Sequence, residues 1–116
     1  MLDPALPLVW YELLKWLLQK TETFPKRIRH TMTMRIENLA LDILQLLTKA
    51  RYASRKAEVL AQVDEKLDQL RLLLRLANDC GHLDHKGYQH VAERLTEVGR
   101  MLGGWRKQRA RSEQDP

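Results

Sequence analysis

Apolar residues recur every three or four positions along nearly all of this 116-residue chain, a period that calls for helices. The stretch Leu67–Ala77, LDQLRLLLRLA, shows it most sharply. At about 100° per residue, Leu67, Leu70, Leu74 and Ala77 form one stripe, which continues backwards through Val63 and Leu60. Leu72 and Leu76 point to nearly the opposite side. Arg71 and Arg75, one turn apart, stand on the shoulder between the two. A surface helix needs one apolar face. A second must be covered, by a further layer of the same chain or by another molecule. A chain of this length is too short to wrap a helical bundle in an outer layer. The second face therefore predicts a partner, either another copy or a different chain.

Three more helical patterns accompany this one, and no convincing strand does. The four cover about residues 6–21, 26–53, 55–80 and 85–107. In the first, Trp10, Leu13, Leu14 and Leu17 share a face, Pro7 suits a first turn, and Tyr11 and Trp16 flank the stripe as packing aromatics. TETFPKRIRH interrupts the pattern and Pro25 restarts it. The second helix turns Met32, Ile36, Leu39, Ile43, Leu47 and Ala50 inward, while Met34, Leu41 and Leu44 lie off that face. Ser54 is the expected N-cap of the third helix, which stops at Gly81. Asp84 caps the fourth, whose core stripe is Tyr88, Val91, Leu95, Val98, Leu102 and Trp105. Gly99 and Gly103 sit inside it one turn apart and leave room for a neighbouring helix backbone; alternatively the helix ends at Gly103. Residues 108–116 read as a flexible tail. The expected fold is all-α: a single domain, 1–116, forming an antiparallel up-down-up-down four-helix bundle. It should assemble as a homo-oligomer, with Met34, Leu41, Leu44, Leu72 and Leu76 buried between subunits.

Charge decides what kind of partner to expect. Twenty Lys and Arg against 15 Asp and Glu leave a formal charge of +5, and Arg outnumbers Lys. Arg is the better reader of phosphate because its fork makes bidentate hydrogen bonds. Lys26, Arg27, Arg29, His30 and Arg35 crowd the start of the second helix, with no acid until Glu37. Cations there oppose the helix dipole, so binding explains them better than stability does. Lys49, Arg51, Arg55 and Lys56 form a second group, and Arg106, Lys107 and Arg109 a third. Such clusters track phosphates of RNA or DNA without reading sequence. The bland alternative is a solvated surface that happens to be basic. The third helix is acidic along its first half (Glu58, Asp64, Glu65, Asp68) and basic along its second, which would orient it in an assembly.

Several classes are disfavoured. Apolar runs are short and broken by charge, so no membrane span is expected. MLDPALPLVW lacks the basic lead and cleavage site of a secretion signal. Cys80 stands alone, which excludes an internal disulfide and suits a reducing cytoplasm. His82 and His85 of HLDH, or Cys80 with His82, lack the paired spacing of a zinc site, and neither metal nor cofactor is expected. Arg75 and His82, in RLANDCGH, match the loose Arg-x6-His pattern of HEPN-type ribonucleases. Leu76 stands where a polar residue is usual, so an enzyme is not expected. No glycine loop precedes a helix to cradle phosphate.

EVGRMLGGWRK at 97–107, with YELLKWLLQKTETFPKRIRHTMTMRIE at 11–37, LDILQLLTKARYA at 41–53 and LDQLRLLLRLANDCGHL at 67–83, resembles the accessory variability determinant (Avd) proteins of diversity-generating retroelements. These belong to the four-helix-bundle superfamily that includes proteins encoded in 23S rRNA intervening sequences. Tyr88 also falls where the family places an aromatic before EVGR. The resemblance covers roughly residues 8–107 and implies a homopentameric barrel with a basic surface. It implies a non-catalytic protein that binds the retroelement's reverse transcriptase and associates with nucleic acid, supporting mutagenic cDNA synthesis from template-repeat RNA and retrohoming of that cDNA. Arg71 and Arg75 match the arginines that the family resemblance marks as reverse-transcriptase contacts. A cytoplasmic protein encoded by a bacterium, an archaeon or a phage is implied too. The alternative is a related bundle protein that binds structured RNA with no polymerase partner. For the two arginines, the competing reading is an intramolecular pair with Asp68 or Asp79.

Overall fold

Four α-helices make up the protein: α1 (Ala5–Thr21), α2 (Met34–Ala50), α3 (Lys56–Asp79) and α4 (His85–Gln114). The computed structural model describes residues 5–114, with side chains through Gln108. Among these residues there is no strand. Each helix packs on the next and α4 returns to α1, in a body 54 × 24 × 20 Å.

The helix ends follow local chemistry. Lys26–Ile28 forms a 3-10 turn and Arg29–Thr33 a π turn before α2 begins at Met34, so the second segment is not one α-helix from residue 26. α2 ends at Ala50, three residues before the expected Ala53, and the Lys56 ammonium donates to the carbonyls of Ala50 (2.9 Å) and Arg51 (3.0 Å). Those are orphan acceptors at a helix C-terminus, where a cation is also favoured by the dipole. Ser54 does not cap α3. Arg55 occupies the cap position, and no side chain bonds the free amides there. Gly81 has φ of 80° and closes α3 as a left-handed residue, with His82 N donating to Ala77 O at 2.9 Å. Asp84 caps α4 by accepting from the Gly87 amide at 2.7 Å. α4 then runs through Gly103 and Gly104 and beyond the expected limit near 107, so its backbone is helical across much of the stretch read as tail. Lys, Gln, Arg and Ala, which dominate 106–111, are strong helix formers, and no proline interrupts them.

One core runs the length of the bundle. Leu6, Trp10, Leu13, Leu14 and Leu17 of α1 meet Ile36, Ala40, Ile43 and Leu47 of α2, all buried. The predicted α3 stripe, Leu60 through Ala77, is buried throughout, as are Val91, Leu95, Val98, Leu102 and Trp105 of α4. Two details differ. Leu39 and Met32 are half-buried, and Ala40 takes the inward position instead. Its small side chain lets the Trp10 indole reach the α2 backbone, where Nε1 donates to Ala40 O at 2.9 Å. Of the two flanking aromatics, Trp16 packs on the core with its ring 4.7 Å from His90, whereas Tyr11 is exposed under Lys15.

Candidate functional site

On α3 the inward stripe is spent on the core, and the opposite side is left bare. Leu72 is 68% exposed and Leu76 45%. On α2, Met34 is 43% and Leu41 41% exposed, both on the side away from the core, while Leu44 is half-buried against it. Exposed leucines scattered singly need no explanation, but these four occupy two adjacent helices. Between the two helices runs a groove of about 430 Å³, lined by Arg35, Asn38, Leu39 and Asp42 of α2 and by Gln69, Leu72 and Leu73 of α3, so that Leu72 alone of the four lines it.

Arg71 and Arg75 stand on the α4 side of the same helix and differ in setting. The Arg71 guanidinium pairs with Asp68 through Nη1 (2.7 Å) and donates from Nη2 to the Leu95 carbonyl of α4 (3.3 Å). It is thus tied to its own helix and to the next. Arg75 lies in solvent, with Asp79 4.0 Å away. Both candidate intramolecular acids are therefore present; the Arg75–Asp79 pair, long and exposed on both sides, is of the kind that contributes little. Within this chain no other helix backbone approaches Gly99 or Gly103: beyond its own helix backbone, a Cβ at Gly99 would meet Arg71 Nη2, and one at Gly103, as at Gly104, would meet nothing within 4 Å.

The basic groups separate to two ends. Lys26, Arg27, Arg29 and Arg35 sit around the entry to α2, at the end where Phe24 meets His82 of the α3–α4 turn. All four are exposed, and no ion pair joins them to an acid among the described residues. Lys49, Arg51, Arg55 and Lys56 lie at the other end, with Arg106, which reaches Asp64 of α3 at 3.0 Å. Here several cations are already engaged: Arg55 with Glu58, Lys56 with the two carbonyls, and Arg51 over the Tyr52 ring. Lys107 is exposed beyond Arg106, and the Arg109 side chain lies outside the described residues. Sequence reasoning missed Lys66. Packing brings it to the α2–α3 seam, 3.5 Å from Asp42, where it lines a hollow with Lys49. Nothing around Lys66 in the chain signals this, because the seam exists only once α2 lies beside α3.

A second apolar groove was also missed. Across the bundle, between α1 and α4, a cleft of about 490 Å³ is lined by Leu8, Val9, Leu13 and Trp16, with Glu12, His90, Arg94 and Glu97 at its polar edges. Leu8 and Tyr11 beside it are exposed. The α1 pattern shows Leu8 two residues from the inward Leu6 and Trp10, a signal that was available.

The two residues of the ribonuclease-like pattern have separate partners, Arg75 with Asp79 and His82 with the Phe24 ring. Among the described residues no three His, Cys, Asp or Glu side chains are grouped to share a metal ion, and no helix is long and apolar enough to cross a membrane.

A search among curated proteins finds no match to the chain. A family model does: the one described as bAvd-like aligns with residues 9–109, which includes α2, α3 and most of α1 and α4. That span takes in the α2–α3 groove, all of the α1–α4 groove lining but Leu8, both basic ends, and Arg71 and Arg75, and the four-helix bundle beneath them agrees with it. The chain belongs to the bAvd-like family.

Proposed function

We propose that this protein is a non-catalytic accessory factor of a diversity-generating retroelement, which joins the reverse transcriptase to its nucleic acid during mutagenic cDNA synthesis and retrohoming. The observation that carries the proposal is α3, with Leu72 and Leu76 exposed beside Arg71 and Arg75 in a bAvd-like chain. Short turns and the packing of each helix on the next support an antiparallel up-down-up-down arrangement. The α2–α3 groove and the α1–α4 groove then lie on opposite sides of the bundle, and unlike faces pair head to tail. A head-to-tail contact that closes produces a ring, as a homopentameric barrel requires. Phosphates run along the basic surface: Arg35 and Lys49 lie on one side of α2, about 21 Å apart at 1.5 Å per residue, a span of roughly six steps of one strand.

Co-expression with a reverse transcriptase of a diversity-generating retroelement, followed by mass measurement of the purified complex, tests the reading. A stable complex containing several copies of this chain, lost in an Arg71→Ala/Arg75→Ala variant that remains helical, is the expected result. A chain that binds structured RNA but captures no polymerase overturns it in favour of an RNA-binding bundle protein.

A further inference from the structure

In an α-helix each carbonyl accepts the amide four residues on, so the side chain of that later residue flanks the oxygen. Leu95 O is the acceptor paired in this way with Gly99, and the Arg71 guanidinium of α3 reaches that same oxygen at 3.3 Å. A Cβ at residue 99 would stand 2.8 Å from Arg71 Nη2 and within 4 Å of nothing else. Alanine there would be blocked by one guanidinium and otherwise fit. Gly103 and Gly104 meet nothing at that range, so the use of Gly99 is particular to it. Asp68 holds the other terminal nitrogen at 2.7 Å, and 38% of the Arg71 side chain remains exposed.

We infer that Gly99 is a positioning residue for Arg71: its missing side chain is the seat that lets the guanidinium bridge Asp68 and the Leu95 carbonyl, with the rest of its fork turned outward to the reverse transcriptase. The inference rests on the proposed polymerase contact of Arg71. A guanidinium fixed at two nitrogens loses less freedom on binding than one waving in solvent, so the seat raises affinity without itself touching the partner. Arg75 has no such seat.

The full-length chain is compared as wild type, Gly99→Ala, Arg71→Ala and the double variant. Three measurements are made: thermal unfolding, NMR of the arginine side-chain nitrogens, and capture of the co-expressed reverse transcriptase. Gly99→Ala should unfold at the wild-type temperature or higher, because alanine is the better helix former. The Arg71 Nη signals, which the two bonds should keep resolved in wild type, should merge in Gly99→Ala, and captured polymerase should fall at least tenfold, as in Arg71→Ala. In the Arg71→Ala background, Gly99→Ala should change capture no further, since the two act through one group. Resolved Arg71 signals in Gly99→Ala overturn the inference, and so does full capture by Gly99→Ala when Arg71→Ala has lost it. Full capture by both single variants removes the polymerase contact itself, a different failure that the Arg71→Ala arm identifies.

Discussion

Replacing Leu72 and Leu76 together with serine separates a leucine that holds the chain folded from one that holds chains together. Complete burial of a leucine is worth about 1.5–3 kcal/mol. With 68% of Leu72 and 45% of Leu76 still exposed in the single chain, covering them adds roughly 1–2 and 0.7–1.4 kcal/mol respectively. The pair is then worth on the order of 2–3 kcal/mol per interface, or about 30- to 150-fold in a dissociation constant. Within one chain the double variant loses only the smaller remainder, plus a few tenths of helix propensity at each position. Leu70→Ala is the contrast, because Leu70 is wholly buried and truncation there costs about 2–5 kcal/mol. Light scattering at several protein concentrations, alongside thermal unfolding, reads both quantities. Leu72→Ser/Leu76→Ser should shift the mass towards monomer with helicity intact, whereas Leu70→Ala should lower the unfolding temperature and leave the assembly. The reasoning is refuted by a wild-type protein that is already monomeric at micromolar concentration, or by a double variant with unchanged mass.

Other perturbations probe the remaining links. Converting Lys26, Arg27 and Arg29 to glutamine should flatten the dependence of duplex-DNA affinity on salt by about 0.9 in log–log slope for each phosphate no longer neutralised; an unchanged slope would place the phosphates elsewhere. Trp10→Phe removes the bond to Ala40 O and part of a buried ring, and should cost about 1–3 kcal/mol in urea unfolding. A loss below a few tenths would mean the indole bond is not formed in solution. Asp84→Ala strips the cap from α4, for about 0.5–2 kcal/mol, and hydrogen exchange should rise first at the Gly87 amide; equal protection there would contradict the cap.

Much of the fold was legible in the chain. The inward stripes of α1, α3 and α4 follow directly from helical spacing, since a residue's side of a helix is set by its number. Gly81 and Asp84 declared their roles because a left-handed stop and an N-cap are local events. The outward placement of Leu72, Leu76, Met34 and Leu41 came from the same arithmetic. Tertiary structure alone decided the rest. Ala40 rather than Leu39 faces fully inward, where the Trp10 indole bonds its carbonyl, and Arg55 rather than Ser54 stands at the α3 cap. Lys66 joined the α2–α3 seam, and Arg71 settled over Gly99, through hydrogen bonds between residues 24 apart in the chain. Periodicity assigns each residue a direction along its own helix. Which neighbour waits in that direction depends on how the helices are set against one another, and no local pattern encodes it.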